Sequence, residues 1–355
     1  MTAGVFRANN ESDPTNRLSL SGVCWSILPG IDPSLPPSRI GRIEGWDREQ
    51  AATWIGGRTV DSKQFAGIFP YLVSPIDEAT GRIREGALRD LVEHLIAAQV
   101  HGLSPLGSTG EFAYLTFEQR REIVRITVEA AAGRVPVVPG VAAYSTADAV
   151  RQARAFVELG ADGLVLILQT LFPVSPAGVE SYFRGIAESV SCPLVLYTNP
   201  GLLGGELSID VIERLSRLPN IQYIKDASSN TGRLLTLLNR VGDRLKVFSA
   251  SAHVPMLVFQ LGGVGWMAGP ACLLPEQCVR LYRLATQGKW EAAFELQKPL
   301  WRINELFQKY SLAGCVKAGL QIQGFEVGEP IAPQEPLKPE GMEEIGRALR
   351  ELSLL

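Results

Sequence analysis

Lys225 closes an apolar run, Ile221-Gln-Tyr-Ile-Lys-Asp-Ala227, that sets one ammonium group among residues of the kind found in cores. Burial disfavours the charged form of a lysine and lowers its pKa by several units, leaving a neutral amine able to attack a ketone carbon. That is the nucleophile of Schiff-base catalysis. A strand-end lysine can equally keep its head in solvent or pair with Asp226. Two further apolar runs end in polar groups: Leu194-Val-Leu-Tyr-Thr-Asn-Pro200 in the phenol of Tyr197, and Gly102-Leu-Ser-Pro-Leu-Gly-Ser-Thr-Gly-Glu111 in Ser108 and Thr109, flanked by Gly107 and Gly110. Amine, phenol and glycine-flanked hydroxyls thus stand at the ends of three strand-like runs, where polar chemistry can collect.

For these groups to act together, the fold must gather the carboxyl ends of several strands on one face, as a parallel β/α barrel does. Strand-like runs recur near 65–73, 102–107, 136–142, 163–168, 193–198, 221–226, 245–250 and 263–268, which makes eight. They are apolar throughout rather than alternating, as in parallel sheets covered on both faces. Between them, Leu88, Leu91, Val92, Leu95 and Ile96 recur at spacings of three and four, the pattern of one helical face. Thr116-Phe-Glu-Gln119 has the form of a capping box.

The expected fold class is α/β, a (β/α)8 TIM barrel over residues 64–286 with a C-terminal helical region at 287–355, interrupted by a proline-rich connection from Pro330 to Pro339. A doubly wound sheet shares the alternation, but no dinucleotide fingerprint is present and eight regular units favour closure. Residues 1–63 differ in texture. They are rich in Ser, Pro, Asn and Gly, densest at Asp32-Pro-Ser-Leu-Pro-Pro-Ser38, with Trp25, Trp46 and Trp54 as isolated apolar anchors. An N-terminal arm, extended or partly disordered, is expected there.

Composition narrows the function. At 355 residues, 46% hydrophobic and 20% charged, the chain can bury a large core. A net charge of -3 without a dense Lys/Arg block offers no footprint for nucleic acid or an anionic membrane, so the expected partners are small molecules. The five cysteines and three histidines show no metal-ligand spacing, and neither a metal nor a cofactor is expected. An odd cysteine count, with no signal peptide and no run of membrane length, points to the cytoplasm.

Gly107-Ser-Thr-Gly-Glu111, Tyr197 to Pro200 and Ile224-Lys-Asp-Ala-Ser-Ser-Asn230, in this order, resemble the dihydrodipicolinate synthase and N-acetylneuraminate lyase superfamily. Phe69 to Pro75 and Val316-Lys-Ala318 add to the likeness, which spans about 65–330. The resemblance implies that Lys225 condenses with pyruvate or a related 2-oxo acid and that Tyr197 shuttles protons. It further implies that Ser108 and Thr109, with the amides of the Gly107–Gly110 turn, bind the substrate carboxylate. A homo-oligomer, dimer or tetramer, is implied as well. Glu111 is expected to orient this loop through backbone donors, and Asp226, next to Lys225 on the strand, to point to the opposite face.

The chain also departs from that pattern. Gln169-Thr-Leu-Phe-Pro173 stands where the synthases carry a paired tyrosine motif, and Leu202 stands where they carry a carboxylate-binding arginine. Ala252-His253 replaces the acidic pair that holds sugar hydroxyls in the lyase branch. Leu171, Phe172, Leu202, Trp266 and Met267 give the acceptor side an apolar cast, while His253 is either a substrate contact or a surface histidine. The expected activity is therefore a Schiff-base lyase or aldolase with an aldehyde acceptor less polar than a sugar acid. Two alternatives stand beside it: a divergent dihydrodipicolinate synthase, and a barrel that binds a 2-oxo acid or a partner protein without turnover.

Overall fold

In the computed structural model, which describes residues 64–352 apart from Ser229, the short apolar runs become strands. They are β1 Gly67–Pro70, β2 Gly140–Ala143, β3 Leu164–Leu168, β4 Leu194–Thr198, β5 Ile221–Asp226, β6 Lys246–Ser249 and β7 Gly265–Ala268. All pair in parallel, in the order β1-β7-β6-β5-β4-β3-β2. Nearly every strand residue is buried, as a sheet covered on both faces requires. The expected arm, residues 1–63, lies outside the described residues.

The run at 102–107, expected as a regular strand, is not one. Single parallel bridges join Tyr71 to Ser104 and Leu103 to Val137. Hydrogen bonds nevertheless reach both edges of the sheet. His101 N and Ser104 N donate to Ile68 O and Pro70 O of β1, each at 2.9 Å, and Gly140 N of β2 donates to Pro105 O at 2.9 Å. Pro105, Pro136 and Pro139 have no N–H to give, and Leu106 adopts φ 63, so the ladder cannot continue. The parallel sheet curls until its first and last strands bond to the same short segment.

The helices follow their sequence signals. Helix 85–97 buries Leu88, Leu91, Val92 and Leu95, with Ile96 half-buried at its edge. The capping box forms in full: Gln119 N donates to Thr116 Oγ1 at 3.2 Å and Thr116 N to Gln119 Oε1 at 2.8 Å. Helices 275–286, 290–309, 312–322 and 339–351 make up the carboxyl-terminal part, with an irregular segment at 323–338. None of the described helices is long and apolar enough to cross a membrane.

Candidate active site

Parallel pairing of β4 with β5 places Tyr197 and Lys225 in register as neighbours. Side chains alternate along a strand, so Tyr223 and Lys225 share one face of β5 and Asp226 takes the other. Asp226 accepts from Arg233 Nε at 3.0 Å and from Ser228 N at 2.8 Å. Its carboxylate is thus committed on the far side, and the pairing of Lys225 with Asp226 does not occur.

Lys225 is 5% exposed, with no hydrogen-bond or ion-pair partner among the described residues. Its Nζ lies 3.9 Å from the ring centroid of Tyr197 and 4.0 Å from that of Tyr71. Desolvation holds the amine well below the ordinary lysine value. Tyr197 Oη accepts from Asn199 Nδ2 at 2.9 Å. Burial pushes this phenol up to about 12, against the Asn199 hydrogen bond, and the Asp226 charge adds to the rise.

The glycine-flanked turn follows segment 101–105, beside the same end of the sheet. Residues 108–110 form a single 3-10 turn in which Gly110 N bonds Gly107 O at 3.0 Å and Glu111 N bonds Ser108 O at 3.1 Å. Those two amides are engaged internally, while the N–H groups of Ser108 and Thr109 have no partner among the described residues. Ser108 is exposed and Thr109 is buried. A Cβ on Gly107 would come within 2.0 Å of the Tyr71 ring, and one on Gly110 within 2.7 Å of Leu72 O, so both positions need glycine. Ser74 Oγ ties the turn down by donating to Gly110 O at 2.6 Å.

The pattern that defines the dihydrodipicolinate synthetase family matches residues 64–352. The 4-hydroxy-tetrahydrodipicolinate synthase of Phenylobacterium zucineum (strain HLK1) is 34% identical over 291 residues, covering 82% of this chain and 98% of that protein. A solved structure described as a putative dihydrodipicolinate synthetase from Pseudomonas aeruginosa superposes with a TM-score of 0.79 at 30% identity, covering 81% of this chain and all of that one. The E. coli K12 prophage protein YagE, a member of the dihydrodipicolinic acid synthase family solved in complex with pyruvate, gives a TM-score of 0.77 at 28% identity, covering 82% and 99%. The chain belongs to the dihydrodipicolinate synthetase family.

Membership in the dihydrodipicolinate synthetase family makes the chain a lyase of the class I aldolase kind. The residues expected on the acceptor side do not all gather. Met267 pairs in register with Phe69, two residues before Tyr71, and so shares the lysine's face of the sheet; Trp266 must then face the other way. Trp266 is buried there, its indole N–H donating to Ala250 O at 3.3 Å. Leu202 is half-buried, and its carbonyl accepts from Thr170 N at 3.2 Å, which joins the loops after β3 and β4. Leu171 and Phe172, on the first of these loops, stand 77% and 76% exposed. His253 is exposed and lines a cavity of about 380 Å³ with Phe294, Gln297, Lys298 and Trp301, its ring set edge-on to Trp301.

Sequence reasoning passed over two features of this dihydrodipicolinate synthetase family chain. Tyr71 lies within the first strand-like run and shares the lysine's pocket, and only the period-two alternation from Phe69 marks it. Lys317, noted for its family likeness alone, is fully buried against Glu111 at 2.6 Å. Among the described residues, no group of three or more His, Cys, Asp or Glu side chains could hold a metal ion.

Proposed function

We propose that the chain is a Schiff-base lyase acting on pyruvate or a related 2-oxo acid by aldol condensation or cleavage. Lys225 adds to the keto carbon, the carbinolamine loses water, and the iminium becomes the electron sink for the carbanion. One observation carries this: a buried amine, free of any charged partner among the described residues and lowered in basicity by desolvation, beside the phenol of the adjacent strand. Tyr197 relays protons between the amine, the departing water and the substrate oxygen. With its pKa pushed up to about 12, it keeps its proton at neutral pH and acts first as a donor.

Ser108 and Thr109 hold the substrate carboxylate through hydroxyls and free N–H groups, while Gly107 and Gly110 let the backbone approach. Thr109 Oγ1 lies 3.1 Å from where a Cβ on Gly269, just past β7, would stand, and Met267 packs the donor from that strand. Segment 101–105 serves as the eighth stave of a (β/α)8 barrel over 64–286, with 287–352 as an appended helical layer. The pyruvate complex of YagE supports the choice of donor.

The acceptor is an aldehyde less polar than a sugar acid, because Leu202 and its neighbour Leu171 offer no charged handle. A second reading, dihydrodipicolinate synthase itself, is favoured by the names of relatives at 34% and 31% identity, and it requires a carboxylate-bearing acceptor at those leucines. Leu171, Phe172 and Tyr144, at 77%, 76% and 68% exposure, suit a surface covered in a homo-oligomer.

The test is borohydride reduction in the presence of pyruvate, followed by intact mass and peptide mapping. The expected result is one stable adduct on the peptide containing Lys225. Failure of every 2-oxo acid in a panel to give an adduct overturns the lyase and leaves a binding barrel.

A further inference from the structure

With Lys225 taken as the Schiff-base lysine, we infer that Tyr71 is a substrate-contacting residue whose ring face, together with that of Tyr197, stabilises the cationic iminium. The two ring centroids lie 4.0 and 3.9 Å from Nζ, so the nitrogen lies over two aromatic faces at once. No carboxylate pairs with it among the described residues, and Asp226 is turned away to Arg233 at 3.0 Å.

The charge has to be balanced at one step. The neutral amine adds to C2 of the 2-oxo acid, the carbinolamine hydroxyl leaves as water on taking up a proton, and the nitrogen then carries a positive charge in its double bond to C2. Among the described residues, the negative faces of the two rings lie against this nitrogen, beside the substrate's own carboxylate. Such contacts strengthen when both partners are desolvated, as here. Burial holds the Tyr71 phenol well above its ordinary value, so the ring is neutral and acts through its quadrupole rather than as a tyrosinate.

The ring's position also points to substrate. The Tyr71 hydroxyl is buried without a partner among the described residues, so no hydrogen bond of its own holds it in place. Packing does: its ring edge occupies the space that a Cβ on Gly107 would need, 2.0 Å away. Tyr71 thus touches both the turn that bears Ser108 and Thr109, at Gly107, and the amine of Lys225, and so flanks the place where a 2-oxo acid held by both would lie.

The experiment places phenylalanine, and then phenylalanine carrying one, two and three ring fluorines, at position 71 of the full chain. This series keeps the ring's shape while draining its face, and far-UV circular dichroism checks the fold. Two quantities are read by mass spectrometry: the fraction of Lys225 trapped by borohydride at subsaturating pyruvate, and the pH dependence of Lys225 acylation without pyruvate. Tyr71→Phe should leave both close to wild type. Across the fluorinated series both iminium fraction and amine pKa should fall in step, with a total loss of roughly tenfold in each equilibrium.

A flat response along the series overturns the role of the ring, and a full loss already at Tyr71→Phe assigns the effect to the hydroxyl instead. If the wild-type protein gives no adduct, the lyase reading fails on its own. The acylation profile still decides whether Tyr71 holds a cation.

Discussion

Glu111 and Lys317 form an ion pair of 2.6 Å in which both side chains are fully buried. Glu111 ends the Ser108–Gly110 turn in a left-handed backbone, φ 54, and its second oxygen accepts from Ile331 N at 2.6 Å and Gln334 Nε2 at 2.9 Å. Lys317 donates to Glu329 O at 2.7 Å. Burial lowers the Lys317 pKa, with the Glu111 carboxylate pulling the other way. The turn is thereby anchored to helix 312–322 and to the irregular segment before helix 339–351. Glu111 takes one backbone donor, Ile331 N, and its other oxygen meets Lys317, both of them far along the chain.

Breaking that pair from one side leaves a charge buried alone. Lys317→Met should cost about 3–5 kcal/mol in urea denaturation and raise the KM for the 2-oxo acid as the turn loosens. Adding Glu111→Gln should recover most of the stability, because the leftover carboxylate is gone while the bonds to Ile331 and Gln334 can persist. A double variant as unstable as Lys317→Met would mean that the pair is not the unit that matters.

Tyr197→Phe removes the phenol and keeps the ring beside Lys225. Turnover should drop by about 10² to 10⁴-fold, the range for a general acid–base group, while pyruvate still saturates at a similar concentration. Steady-state kinetics separate the two, and unchanged kcat would make Tyr197 a packing residue.

Lys225→Met should abolish turnover and raise the melting temperature at neutral pH. The folded-state pKa of Lys225 is lowered, so between that value and the unfolded value near ~10.4 the unfolded chain binds more protons than the folded one. Wild-type stability from this group therefore rises with pH across the window and is lost as pH falls through it. The variant lacks the slope. Calorimetry at several pH values reads both effects, at about 2–4 °C per kcal/mol for a domain of 150–250 residues.

Thr109→Ala and Ser108→Ala should weaken the hold on the substrate carboxylate with less effect on kcat. A hydrogen bond to a charged group is worth about 1.5–3 kcal/mol, so KM should rise roughly 10- to 100-fold, with the buried Thr109 the larger of the two. Saturation curves that overlay the wild type for both variants would place the carboxylate elsewhere.

Acceptor choice separates the two enzyme readings. With pyruvate as donor, short aliphatic and aromatic aldehydes should outrun sugar-derived acceptors and aspartate semialdehyde, with modest discrimination of about 1–3 kcal/mol per methylene-sized difference. A wide margin for aspartate semialdehyde in kcat/KM would establish the synthase. Leu202→Arg should then improve use of the carboxylate-bearing acceptor further, through a bidentate contact.

Local chemistry made much of this protein legible from sequence. Apolar runs bounded by turns gave the strands of a parallel sheet, the spacing of Leu88, Leu91, Val92 and Leu95 gave a helix face, and Thr116 with Gln119 gave its cap. Strand alternation put Asp226 opposite Lys225, and the same rule, applied to β7, separates Trp266 from Met267. Each of these depends on residues within a few positions of one another.

Contacts between distant segments were decided only by the tertiary structure. Whether 102–107 could form a ladder depended on prolines in the neighbouring segment as well as its own, and on the φ of Leu106. Which aromatic ring meets Lys225 depended on the lateral register of strands far apart in sequence, and that register alone brings Tyr71 to it. The exposure of Leu171 and the groove that takes His253 likewise follow from where their loops lie over the sheet. Propensity and periodicity act along the chain and set each element with the face it buries. The distances between those faces are set by packing across the core, where every strand's position is conditioned by all the others.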